Sequence, residues 1–383
     1  MPISTRPNRS SSESNSDRSS EALVRSGRRV QRESGAALAA RLTAQAQLMH
    51  PSSAENLARL RHAAKRMTDW RFHCWYWGDA IAIDGLMEAH AWAPAGGGYR
   101  EHVLEICRRW HSRCPPNFDD VLAPGATLIQ LVMDGDLPAT AAERVLDHLE
   151  GLPRAYGCVP ALEPHRPSFR FGLCIDAVYH LPATYAMAAR WSGDARYSEK
   201  AIRLAIECMQ VLRCEAGWAQ WFDPTHRRNN HVAWSRGMGW AVLGLLDLVR
   251  LLDGVGCAEV ADLASLVLQR LAQTQDSDGN WRAVLDDPDA ESETSTAAFY
   301  VAAALHPAAR GLALPFTVLE RAVGACSRAL ADDGTYTGVT ADVLPSWDLK
   351  TYRRCPKEPS AWGQGVAVRA LSALAATRSG TLK

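Results

Sequence analysis

From residue 35 onward the chain alternates between apolar runs of helical spacing and short breaks rich in Gly, Pro and Asp. That alternation limits the fold more than any other feature. Leu204, Ala205, Cys208 and Val211 fall three and four apart, as do Val260, Leu263, Val267 and Leu271, which is the spacing of one buried helix face. Ala-rich runs of this kind lie near 35–49, 54–68, 78–91, 100–112, 124–134, 138–150, 173–191, 195–213, 236–252, 257–274, 292–305, 312–330 and 362–377. Breaks fall at Pro94 to Gly98, Cys114 to Asn117, Asp276 to Gly279, Asp286 to Asp289 and Asp332 to Gly334, the residues that end helices and make turns. No convincing strand alternation interrupts the series. Twelve or thirteen helices with alternating connections predict six helical hairpins closed into a toroid, an all-α (α/α)6 barrel.

The length of 383 residues and the 47% hydrophobic content suit one large core. Residues 34–383 are expected to form a single domain. Residues 1–33 are rich in Ser, Arg, Asn and Glu; such a segment buries too little to offset its ordering entropy and reads as a disordered tail. Lys plus Arg and Asp plus Glu number 42 each, so charge points neither to nucleic acid nor to a membrane surface. No apolar run reaches the roughly 18 residues of a membrane span, and no apolar signal core follows the N-terminal charges. Ten cysteines without a C-x-x-C pair read as small reduced core residues, so a cytoplasmic location is expected. The H-E-x-x-H, P-loop and G-x-G-x-x-G patterns are missing, and the 12 histidines show no metal-ligand spacing. Acid/base chemistry without metal or cofactor is therefore the expectation for an enzyme of this sequence.

Three places carry candidate chemistry. Trp234-Ser235-Arg236-Gly237-Met238-Gly239-Trp240 puts two indoles, a guanidinium and two glycines directly before an apolar helix. Trp and Arg stack on sugars and bind carboxylates in a fork; core tryptophans at a tight loop-to-helix turn would read the same way. Asp176 lies in an apolar stretch, Leu173-Cys174-Ile175-Asp176-Ala177-Val178-Tyr179. Burial would raise its pKa and suit it to proton donation, whereas an exposed helix start would make it a cap. Asp119 and Asp120 precede Pro124-Gly125 and a further helix, with the same two readings. Gln275, Asp278, Gly279 and Trp281 form a Q-x-x-D-G-x-W turn, read as packing of helix ends rather than chemistry.

On these residues the chain resembles the unsaturated glycuronyl and rhamnogalacturonyl hydrolases of glycoside hydrolase families 88 and 105, which are (α/α)6 barrels. Trp234 to Trp240 keeps the family's W-x-R-G-x-G-W in full. Asp120, Pro124 and Gly125 fit its D-x-x-x-P-G segment, and Asp176, Tyr179 and Pro182 fit its later W-x-D-x-x-Y-M segment. Glu293-Thr294-Ser295 matches an E-T-S helix start, and Trp77, Gly78, Asp84, Gly85 and Leu86 match an early W-G…D-G-L helix. The resemblance spans roughly residues 55–375. It departs at Cys174 for the family's Trp, at His180 for its Met, and at Gln220 for a His in an H-x-W/Y-D turn.

The resemblance implies an enzyme that removes a 4,5-unsaturated uronic acid from the non-reducing end of lyase-generated oligosaccharides. Asp176 would protonate the sugar double bond and Asp120 would assist it. Trp234, Arg236, Trp240, Gln220 and Tyr179 would bind the sugar, with Arg236 on the uronate carboxylate. Two other classes fit the residues: an (α/α)6 glycosidase of saturated sugars, with two carboxyls about 6.5–9.5 Å apart, and a non-catalytic helical carbohydrate-binding protein.

Overall fold

The computed structural model describes residues 53–72, 77–93, 97–113, 125–161 and 172–378. The proposed tail, the run near 35–49, and Asp119, Asp120 and Pro124 lie outside the described residues. Within them, outer and inner helices alternate along the chain. The outer ones are α1 (Ser53–Thr68), α3 (Tyr99–Arg113), α5 (Ala139–Gly151), α7 (Ala195–Val211), α9 (Ala258–Thr274) and α11 (Phe316–Ala329). The inner ones are α2 (Trp77–Trp92), α4 (Gly125–Met133), α6 (Ala177–Ser192), α8 (Ser235–Leu251), α10 (Ser295–Ala304) and α13 (Ala361–Arg378). A short α12 (Lys350–Arg353) and a 3-10 turn (Pro307–Ala309) sit in connections.

Side-chain pattern decides the layer. An outer helix buries one stripe; in α7 this is Ala201, Leu204, Ala205, Cys208 and Met209. An inner helix is covered all round, as in α10, where Ser295 through Ala303 are all buried. Around the inner ring α2 packs on α13, α13 on α10, α10 on α8, α8 on α6 and α6 on α4. The Thr127 hydroxyl of α4 donates to Asp84 of α2 at 2.5 Å across the remaining seam. Helices α3, α5, α7, α9, α11 and α1 cover α2, α4, α6, α8, α10 and α13 in turn. The fold is the (α/α)6 barrel. Gln364 of α13 helps to close it: its Nε2 donates to the Ala63 carbonyl of α1 at 3.1 Å and to that of Gly334 at 2.8 Å.

The helix spans follow the periodic runs to within a few residues, with one informative exception. The run from 173 begins as strand and turn, and α6 starts at Ala177. Leu173–Cys174 (β3) pairs antiparallel with Trp221–Asp223 (β6), which pairs in turn with Arg228–Asn229 (β7). Other loop pairs are Arg154–Tyr156 (β1) with Val159–Pro160 (β2), Arg213–Cys214 (β4) with Gly217–Trp218 (β5), and Trp281–Arg282 (β8) with Ser292–Glu293 (β9). Two- and three-residue strands are too short to show alternation. The Q-x-x-D-G-x-W turn ties helix ends: Gln275 Nε2 donates to the Val318 carbonyl at 2.9 Å and Trp281 Nε1 to that of Leu271 at 2.7 Å.

Candidate active site

Because an outer helix precedes each inner one, the inner helices run in the same direction and their starts share one end of the barrel. Asp176 precedes α6, Trp234 precedes α8, Thr294 precedes α10, and Trp362 stands in the first turn of α13. The β3–β6 pair fixes the entry to α6. Cys174 stands opposite Trp221, and the Ile175 N–H donates to the Gln220 carbonyl at 2.8 Å.

Asp176 occupies a capping position without capping. Its side chain accepts no bond from the helix N–H groups, it is 7% exposed, and Oδ1 has no partner. Burial pushes its pKa from 3.8 up to about 7; the Arg236 charge pulls it down, the Asp342 charge pushes it up, and the Cys174 thiol hydrogen-bonds to the carboxylate. An acid with that proton affinity holds its proton into the neutral range and can both give and take it.

Arg236 is wholly buried. Its NH1 donates to the Thr340 carbonyl at 2.6 Å and hydroxyl at 2.8 Å, and its NH2 to the Ala341 carbonyl at 2.9 Å. The guanidinium lies over Trp234 at 4.6 Å and near Trp362 at 5.7 Å, and its Nε has no partner. The fork is thus spent on the 340–341 loop, and the group presents its charge to Asp176. Glu293, also buried, accepts from the backbone N–H and hydroxyl groups of Ser295 and Thr296, so the E-T-S start is a helix cap. Thr296 ties α10 to α8 through the Ser235 hydroxyl at 3.0 Å.

The other residues singled out in the sequence take varied places. Trp240 has no exposed surface and packs against Trp77, Tyr179, His180 and Phe299 at centroid distances of 4.8 to 6.2 Å. Tyr179 donates to Asp84 at 2.6 Å and accepts from Arg369 at 2.8 Å, so its hydroxyl is engaged in the barrel interior. Gln220 is 1% exposed; its Nε2 donates to the Val343 carbonyl at 2.9 Å and its Oε1 accepts from the Tyr352 hydroxyl. It fastens the 343–352 segment beside Asp176. His180 is buried and neutral, its pKa pushed down to about 3 by burial.

Sequence reasoning overlooked Trp221, Trp362 and Asp342. Trp362 stands in A-W-G-Q-G, a Trp-Gly helix start resembling the Trp234 segment, and could have been found. Trp221, Trp234, Trp240 and Trp362 all keep a buried indole N–H without a partner. Buried polar groups are normally hydrogen-bonded, so these four indoles are exceptions within the barrel.

The family model described as Glycosyl Hydrolase Family 88 matches residues 54–377. This chain belongs to that family. The match spans the described barrel except for Ser53 at the start of α1 and Arg378 at the end of α13. Among curated family relatives, the unsaturated rhamnogalacturonyl hydrolase YesR of Bacillus subtilis (strain 168) is 27% identical over 161 residues. That alignment takes in 41% of this chain, and the chain spans about half (46%) of that relative's length. A possible GH105 member from Klebsiella pneumoniae superposes with a TM-score of 0.73 at 17% identity, covering 85% of this chain and 94% of that one. The unsaturated glucuronyl hydrolase of Bacillus sp. GL1 superposes at 0.62 with 15% identity, covering 84% and 96%. At such identities the superpositions establish the fold, which is the (α/α)6 barrel.

Proposed function

We propose that this family 88 chain hydrolyses oligosaccharides bearing a non-reducing-end 4,5-unsaturated uronic acid, and that it does so by hydrating the double bond. The observation that carries this is Asp176, a buried carboxyl with one unpartnered oxygen and a pKa raised to about 7. In the reaction Asp176 gives its proton to C4 of the enol ether, and water adds at C5. The water's proton returns to the carboxylate, so one group serves as acid and then as base. The resulting C5 hemiketal opens to a C5 ketone as its hydroxyl proton passes to the ring oxygen; the C1 hemiacetal so formed then collapses to an aldehyde, its proton passing to the leaving oxygen, and the aglycone departs as an alcohol.

In this reading Arg236 does not clamp the uronate with its NH groups. It holds the Thr340–Ala341 loop in place and tempers the proton affinity of Asp176. The unpartnered indole N–H groups of Trp221, Trp234 and Trp362 receive sugar or carboxylate oxygens, and Gln220 and Tyr179 support the site from behind. Asp120 remains the proposed assistant to Asp176. The eight described cysteines are free and six of them buried, which supports action in a reducing compartment such as the cytoplasm.

Hydration destroys the near-ultraviolet chromophore of the substrate. The purified chain is expected to abolish that absorbance in an unsaturated disaccharide and to leave the saturated counterpart uncleaved. Cleavage of the saturated sugar would replace hydration by direct attack on the glycosidic bond; binding without loss of absorbance would make the chain a carbohydrate-binding protein.

A further inference from the structure

The interior of the ring holds a cavity of ≈ 210 Å3 that the hydration reading does not use. Neither Asp176 nor Arg236 lines it. Its mouth lies at the end opposite the helix starts, where Glu88 stands near the end of α2 and Arg250 in the last turn of α8. Their side chains are 36% and 47% exposed. From that mouth the cavity reaches inward to Tyr179 and His180 in the first turn of α6.

Carboxylates outnumber guanidiniums on its wall: Asp84, Glu88 and Asp247 face Arg250 and Arg369. Asp247 is engaged on both oxygens, by Arg369 at 2.9 and 3.2 Å and by His306 at 3.3 Å. The two acids of α2 keep acceptor capacity. They stand four residues apart and so share one helix face. Both contacts of Glu88 with Arg369, at 2.8 Å to Nε and 2.7 Å to NH2, go through Oε1; Oε2 has no partner among the described residues. Asp84 accepts from Thr127 on one oxygen and from Tyr179 on the other, which leaves a second lone pair on each. Burial raises the proton affinity of both acids against the pull of the Arg369 charge. A separate observation comes from α6. His180 lines the cavity, is 4% exposed, and its Nε2 has no partner. The ring is neutral, so with its proton on Nδ1 it offers a lone pair at Nε2.

We propose that this cavity binds a small organic cation, a primary ammonium group on a short apolar chain, with its N–H donors on Glu88 Oε2, Asp84 and His180 Nε2. The site does not depend on the hydration reading. An ammonium carries three donors and no acceptor, which suits a wall of free acceptors; an anion would meet three carboxylates there. The ends of α2 and α8 at the mouth add the partial negative charge of helix C-termini. No group of His, Cys, Asp and Glu among the described residues is arranged to hold a metal ion, whereas Met87, Met187 and Leu251 give the wall an apolar part for an alkyl chain. The volume, below the roughly 300–1,000 Å3 of drug-sized sites, keeps that chain short.

Calorimetry on the full chain at fixed ionic strength tests the site, with propylammonium, tetramethylammonium, potassium and 1-propanol as probes. Propylammonium is expected to bind one to one and to raise the melting temperature, as a ligand of the folded state alone must. The other three lack the charge, the donors or the chain and are expected to bind at least about tenfold more weakly, the scale of one lost hydrogen bond to a charged group. Glu88→Gln keeps an oxygen for Arg369 and turns the free oxygen into a donor; it is expected to weaken propylammonium about ten- to hundredfold. His180→Met, which places the family's usual residue there, removes one acceptor and is expected to cost about three- to tenfold. Circular dichroism of each variant without probe shows whether it folds, and if Glu88→Gln does not, His180→Met carries the test. Absence of propylammonium binding would overturn the proposal. So would equal binding of 1-propanol, which needs only an apolar hole, or equal binding of potassium or tetramethylammonium, which needs only charge. An unchanged propylammonium affinity in either folded variant would overturn it too.

Discussion

At the scale of single residues, Asp176 is the case where position and chemistry disagree. An aspartate at a helix start ordinarily accepts backbone N–H bonds and is held ionised by them. Asp176 makes no such bond, and burial dominates it. The sequence left capping and catalysis open because the difference lies in neighbours remote along the chain: Arg236, Asp342 and the Trp221 strand. Two consequences can be measured together. Turnover should fall as pH rises through about 7, because the donor then loses its proton; Asp176→Asn should lower turnover by at least about 10²-fold, the usual scale for a positioned general acid. Stability also falls with rising pH, over a lower interval. With a folded pKa above the unfolded value, the carboxyl destabilises the native state increasingly as pH rises from about 4 to 7, by about 1.4 kcal/mol per pH unit across that interval. The melting temperature of Asp176→Asn should therefore exceed that of wild type by more at pH 8 than at pH 5. A gap that stays constant across that range would show that Asp176 is not the titrating group.

At the scale of helices, the Trp234–Trp240 segment shows how local chemistry and packing combine. Its glycines suggested a backbone approaching something closely, and the structure supplies the partners. A Cβ at Gly237 would meet Ile175 at 2.6 Å and Trp234 at 2.8 Å; one at Gly239 would meet Phe299 at 2.6 to 2.8 Å. The glycines let α8 sit tight against the entry of α6 and against α10, which sets the indoles around Asp176. Gly239→Ala would ordinarily favour a helix by about 1 kcal/mol. Here the overpacking term, about 1–3 kcal/mol, wins, because a buried phenyl ring hemmed in by Trp240 cannot retreat. A lowered midpoint in urea is expected, and a raised one would mean that α8 and α10 can move apart. Helix positions were legible from period and punctuation alone. The strand pairs between helices were not, since a two-residue strand is specified by its partner and carries no pattern of its own.

At the scale of the whole molecule, the ring encloses a charged centre that no periodicity could reveal. Arg369 of α13 donates to Asp247 of α8 at 2.9 Å, to Tyr179 of α6 at 2.8 Å and to Glu88 of α2 at 2.8 Å. Tyr179 passes on to Asp84, and His306 contacts Asp247 at 3.3 Å. Burial alone would raise the Asp247 pKa, but Arg369, His306 and Arg250 hold it well below the usual carboxylate range. An apolar count along each helix says which face turns inward; it says nothing of which inward charges meet. Arg369→Met keeps the volume and strands Asp247, so about 3–5 kcal/mol of stability should be lost, read as a shift in denaturant midpoint. Asp176 stands one turn of α6 before Tyr179, and none of the centre's charges is among the groups that shift its pKa. Any activity the folded fraction retains should therefore keep its pH profile, and a displaced profile would show that the two ends of the barrel are coupled.

The bond of Gln364 to Ala63 joins the last inner helix to the first outer one across a separation of 301 residues. In synthesis from the N-terminus the earlier hairpins can fold as they emerge, yet α2 has no partner on its α13 side until the final helix is released. Until then the arc presents two open apolar edges, one on α2 and one on α10, each a surface on which a second nascent chain could settle. Assembly of this barrel is thus timed by its last helix.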